Sequence, residues 1–192
     1  RVDASTPPAR PDVLALLGPW VAILDAADAR VRAVVAAGSA TAPGSVEALT
    51  QALAEQRERA SPSVLAAAAL VLAEWIADVA LRGGTADQQP LRECLEANRA
   101  AASAAAVAET EARLAVLVAA DGALGEAMEK GPFFAIKALR LAIPECGARA
   151  SPGAAKAAAD MLKELEQCNK DLMQHTFQAA PHGAKMEQLK AD

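Results

Sequence analysis

Apolar side chains recur at Val13, Leu17, Trp20, Leu24, Ala27, Val31 and Val34, in alternating steps of four and three. That spacing keeps one side chain per turn on a single face of an α-helix, whereas a strand requires a period of two. The pattern predicts a first helix over about residues 12–37, with Asp28 and Arg32 one turn apart on its outer face and Gly38 as its C-terminal cap. Gly18-Pro19 falls inside the run, so a kink is expected there, or a short lead-in turn before a helix that starts at Pro19.

The same reading gives five more helices. Ser45, after Pro43-Gly44, suits the N-cap of a short helix to about Arg59, with Val46, Leu49 and Leu53 inward. Ser61-Pro62 opens a third helix, which from Val64 to Leu81 carries only Glu74 and Asp78 as charges and reads as the centre of a bundle, closed by Gly83-Gly84. A fourth is predicted from Gln89-Pro90 to Ala120, through a small-residue stretch, Ala100 to Ala108, that admits close helix packing. Three glycines and a proline make residues 121–132 the expected connection and a place where the bundle could divide. Phe133 to Ile143 forms a fifth helix stopped by Pro144. The last opens at Ser151-Pro152 and runs to about Phe177, with Ala155, Ala158, Leu162, Leu165, Cys168 or Asn169, and Leu172 inward; Lys156 with Asp160 and Glu166 with Lys170 are outward pairs. Residues 1–11 read as an extended Pro-rich arm and 178–192 as a loose tail that Met186 and Leu189 could dock. The fold class expected is all-α: an antiparallel bundle of five to six helices over residues 12–177, joined by short Gly/Pro/Ser connections.

Composition sharpens this picture. Of 192 residues 52 are alanine and none is tyrosine, which favours helix over sheet. A net charge of -5 is the wrong sign for neutralising phosphates, so nucleic acid is excluded as a partner. The third helix is long enough to cross a membrane, but two carboxylates near the bilayer centre cost about 2.5 to 3.5 kcal/mol each, so no transmembrane span is expected. Cys94, Cys146 and Cys168 are too few and too scattered for a disulfide framework or a zinc site. The chain starts at Arg1, which suits either a removed targeting segment or a piece of a longer chain.

Residues 31–44 align with 139–153 if one residue is inserted, and Arg-Ala-Ser-Pro occurs at both Arg59 and Arg149. A duplicated hairpin is one account. The plainer one, preferred here, is that glycine caps and Ser-Pro starts recur because helix connections require them.

Chemistry is sparse. The histidines are His175 and His182, and no HExxH, phosphate-loop or nucleophile-elbow motif occurs. Glu164, Cys168, Asp171 and His175 share one stripe of the last helix at steps of 4, 3 and 4 and are the only weak metal or Cys-His candidates; as solvated residues bordering a seam they need no ligand. Trp20 and Trp75 could line a ligand pocket but fall on helical seams, where core anchoring is the simpler role. Phe133 and Phe134 point about 100° apart on a helix, so one is expected in the core and the other free for a partner. Phe134, Lys137 and Arg140 then form the expected docking surface.

Residues 132–177, a helix with a Leu-Arg step, a Pro-containing connection and a long helix with Leu162, Leu165 and Leu172, resemble the later helices of PsbQ-like proteins, the extrinsic lumenal subunits of photosystem II. The resemblance implies a non-catalytic subunit docked on a membrane complex in the thylakoid lumen after import, and a processed N-terminus would suit it. Greater length, the abundance of alanine and the lack of tyrosine depart from that family. The function expected from the residues themselves is a non-catalytic accessory or scaffold subunit that binds other protein subunits and needs no cofactor. The alternative is a carrier or enzyme using a pocket near Trp20 and Trp75 or the Cys168 and His175 stripe.

Overall fold

The computed structural model describes the backbone of residues 11–188 and the side chains of residues 15–175. The described residues are all-helical, with seven helices: α1 Pro11–Ala37, α2 Ser45–Gln56, α3 Pro62–Arg82, α4 Gln88–Asn98, α5 Ala104–Glu129, α6 Pro132–Cys146 and α7 Pro152–Gln188. Of the arm expected at residues 1–11, Pro11 instead opens α1 and the rest lies outside the described residues, as does the docking role given to Leu189, and Met186 lies beyond the described side chains. Long helices alternate with shorter ones.

Five local expectations change. α1 runs unbroken through Gly18 and Pro19, giving up the bond Pro19 would make to the carbonyl four residues back. Gly44, at φ 79°, is the N-cap of α2, while Ser45 is buried in the first turn and its Oγ accepts the Ser39 N–H at 3.2 Å. The fourth predicted helix is two, α4 and α5. Alanine favours continuation locally, but the Asp78 carboxylate takes the Ser103 N–H at 2.8 Å and hydroxyl at 2.7 Å, fixing a new helix start. Conversely, residues 121–129 are helical: Gly122 and Gly125 cost about 1 kcal/mol each relative to alanine, and full burial of Leu124, worth about 1.5 to 3 kcal/mol, offsets this. The backbone of α7 also continues past Phe177 to Gln188, through the stretch expected to be loose.

Asp28 is not on an outer face. It is buried, and its two oxygens accept the Ser61 N–H and hydroxyl, both at 2.7 Å, with Arg32 at 3.6 Å. The same device recurs twice. Asp78 holds Ser103 with Arg82 at 3.8 Å, and Asp121 accepts the Ser151 N–H at 2.7 Å while Gln88 Nε2 takes its other oxygen at 2.6 Å. Each aspartate sits in a long helix and holds the residue that opens the next long helix.

The surrounding residues repeat with it. Ala27, Ala77 and Ala120 immediately precede the aspartates and are buried; Val31, Leu81 and Leu124, three residues after them, have no exposure at all. The short helices end alike: the carbonyls of Gln56, Asn98 and Cys146 each accept the N–H groups three and four residues on, and the helix-opening serine follows. Helix starts match as well. Val64, Leu65, Ala68, Val71, Leu72 and Trp75 of α3 pack into one core, and the residues ninety positions later, Ala154, Ala155, Ala158, Met161, Leu162 and Leu165 of α7, pack into another. A repeated hairpin is therefore the better account. The two Arg-Ala-Ser-Pro segments occupy equivalent turns, whereas residues 31–44 and 139–153 span turns of different kinds, α1 to α2 and α6 to α7.

The chain forms two compact units, residues 1–83 with 94–108, and residues 84–93 with 109–192. In the first, α1, α2 and the front of α3 enclose Ala27, Val31, Leu49, Ala68 and Trp75, and a smaller cluster gathers Leu81, Leu95 and Ala106. In the second, Ala120, Leu124 and Ala127 of α5 pack with Leu139 of α6 and Ala158 of α7. Among the described residues α3 alone is long and apolar enough to span a membrane, and here it packs against α1 and α2 and buries Asp78.

Candidate functional site

Helices α6 and α7 enclose a groove of about 520 Å³ lined by Phe133, Ile136, Leu141, Leu165 and Leu172, with Lys137, Arg140, Cys168 and Asn169 along it. Local sequence explains its shape. Gly131-Pro132 starts α6, and the inward positions Ala135 and Leu139 pin the helix to the core. Phe133 and Phe134, ahead of both, turn outward and are 89% and 73% exposed. Neither ring completes the core, contrary to the expectation that one would. Phe133, not Phe134, lines the groove beside Lys137 and Arg140. Arg140 is held there by Glu166, which it meets at 2.7 Å across the helices in place of the expected Glu166–Lys170 pairing.

The other candidates separate. Trp75 is buried, and its ring closes on Gly38, where a Cβ would stand 2.5 Å from the ring edge. Trp20 is 68% exposed in the first half of α1, with Leu16, Leu17, Val21, Ile23 and Leu24 exposed around it, so it is not a core anchor. Glu164, Cys168, Asp171 and His175 are all exposed, and Asp171 accepts a bond from Gln167 at 2.8 Å. Among the described residues no three His, Cys, Asp or Glu side chains converge as a metal site requires. His182 lies beyond the described side chains. Cys94 and Cys146 are part-buried free thiols, and the Cys94 thiol donates to the Ala80 carbonyl at 3.5 Å.

Sequence reading missed the three aspartates. The Ser61 N–H and then its hydroxyl hold the Asp28 carboxyl below its usual value of 3.8; burial opposes this and Arg32 assists. The available signal was a pattern that occurs three times, an aspartate preceded by alanine and followed three residues later by Val or Leu, at Asp28, Asp78 and Asp121.

Comparison with protein-family profiles, curated proteins and solved structures finds no match to this chain. What the fold defines is a class of architecture: among the described residues, an all-helical array of repeated, aspartate-anchored hairpins, with an apolar groove between α6 and α7 and exposed apolar residues on the first half of α1.

Proposed function

We propose that this protein is a non-catalytic scaffold or accessory subunit that binds other polypeptides through helix faces. The observation that supports this reading is the α6–α7 groove, where exposed Phe133, Leu141 and Leu172 form an apolar floor beside Lys137 and Arg140. Such a groove suits the apolar face of an amphipathic helix carrying acidic residues at its margin, and a contiguous exposed apolar patch of this kind is uncommon on a protein that acts alone. The resemblance of residues 132–177 to PsbQ-like subunits falls on α6–α7, a hairpin whose buried positions this chain uses again in α2–α3. An extrinsic subunit that stabilises a photosystem is the specific version of the proposal that this resemblance supports. The test is affinity purification of the wild-type chain and of Phe133→Glu and Leu141→Glu from native material. Stoichiometric protein partners held by wild type and lost from both variants are expected. Partners unaffected by either variant, or a small molecule or metal as the sole companion, would count against the proposal.

A further inference from the structure

Two exposed faces of this chain fall on repeat positions that are buried elsewhere in it. Aligning Asp28 with Asp121 places Leu17 and Leu24 of α1 on Thr110 and Leu117 of α5. Thr110 and Leu117 are buried, whereas Leu17 and Leu24 are exposed. Aligning Ser151 with Ser103 places Cys168, Asn169 and Leu172 of α7 on Ala120, Asp121 and Leu124. Leu124 has no exposure, yet Leu172 is 65% exposed. By the same register Leu17 and Leu24 correspond to Ala68 and Trp75 of α3, which are buried where the front of α3 packs against α1 and α2, so the front half of α1 carries the positions by which a long helix packs on the helices before it. The second half of α7 carries those by which a long helix receives the one after it.

The relation these halves would adopt is already present inside the first unit. There the front of α3 packs on the second half of α1, Val31 and Ala68 line one apolar cleft, and Asp28 holds Ser61. Carried to those exposed faces by the repeat, the counterparts of Val31 and Ala68 are Leu172 and Leu17. We infer that the front half of α1 in a second copy of this chain docks on the second half of α7, continuing the repeat from copy to copy. The inference deepens the scaffold reading, because Cys168 and Leu172 also line the α6–α7 groove. Different patches meet in this contact, so it is heterologous and builds a ring or an open row rather than a two-fold dimer. Asn169 stands where the other repeats carry their aspartate, so an amide takes the place of the carboxylate at this junction.

The experiment is sedimentation of the full chain, alone and as the variants Leu17→Glu and Leu172→Glu. Both side chains are exposed in the single chain, so helical circular dichroism should be unchanged; Leu17→Ser and Leu172→Ser give the same readout if a glutamate unfolds its chain. Wild type should grow beyond two chains as concentration rises, or close into one ring. Each variant alone should stay single. Their equimolar mixture should form a species of two chains, because one variant keeps an intact α7 end and the other an intact α1 end. A wild type that stays single at every concentration, variants that still self-associate, or a mixture that stays single would overturn the inference. If the wild type is single but partners are still lost from Phe133→Glu, the head-to-tail contact fails while the scaffold reading stands.

Discussion

Replacing Asp78 with alanine removes the carboxylate that fixes the start of α5. Its oxygens accept the Ser103 N–H at 2.8 Å and hydroxyl at 2.7 Å, and its side chain is 6% exposed, so water cannot readily take its place. A hydrogen bond to a charged group contributes about 1.5 to 3 kcal/mol, and a helix-start residue typically about 1 kcal/mol. The two bonds share one ion whose desolvation offsets part of the gain, so we expect a loss of about 3 kcal/mol rather than their full sum. For a chain of this length that lowers the melting temperature by roughly 6 to 12 °C. Thermal unfolding followed by circular dichroism at neutral pH measures it, with Glu74→Ala, an exposed carboxylate on the same helix, as the control. Ser103→Ala should cost less than Asp78→Ala, because the backbone N–H bond survives, and the double variant should lose less than the sum of the two. An Asp78→Ala variant within about 0.5 kcal/mol of wild type, the range of an ordinary surface change, would refute the reasoning.

Other outcomes follow from the same structure. Gly38→Ala should destabilise by about 1 to 3 kcal/mol and shift tryptophan emission, since its Cβ would stand 2.5 Å from the Trp75 ring; chemical unfolding read by fluorescence checks both. Gly122→Ala should stabilise by about 0.5 to 1 kcal/mol in the same assay, because the site is helical and a Cβ there meets nothing within 4 Å. The Asp28 carboxyl has a folded pKa below 3.8, so between that pKa and 3.8 the unfolded chain binds more protons and stability rises with pH. Its contribution is complete above the unfolded value and is lost as pH falls through the folded one. Asp28→Asn should flatten that acid limb of a stability-against-pH curve, and an unchanged limb would contradict the assignment.

Sequence periodicity revealed the helices themselves, because one apolar residue per turn leaves little choice once strands are excluded. It placed Ser61-Pro62 and Ser151-Pro152 correctly as helix starts, since those dipeptides act locally. It misplaced the α4–α5 break, because alanine favours helix throughout Ala100 to Ala108 and the force that ends α4 comes from Asp78, 25 residues before Ser103. It misjudged residues 121–129 for the converse reason: glycine is a local penalty, while burial of Leu124 is a tertiary gain. Trp20 and Leu172 lie on proper seams, and a seam shows that a face is built for burial without showing that this chain supplies the cover. The groove was half visible, in Lys137 and Arg140, but with Phe134 as its ring in place of Phe133, because an aromatic after Gly-Pro reads the same whether its ring turns to the core or away.

One hairpin recurs along the chain, anchored three times by an aspartate that holds the next helix start. The N–H groups of Ser61, Ser103 and Ser151 are first-turn donors, which a helix leaves without partners of its own, yet each bonds to a carboxylate at 2.7 or 2.8 Å. Amide hydrogen exchange at these three residues is the most direct measurement. The account predicts protection at all three, lost at Ser103 alone in Asp78→Ala, and rapid exchange at any of them in the wild-type chain would contradict it.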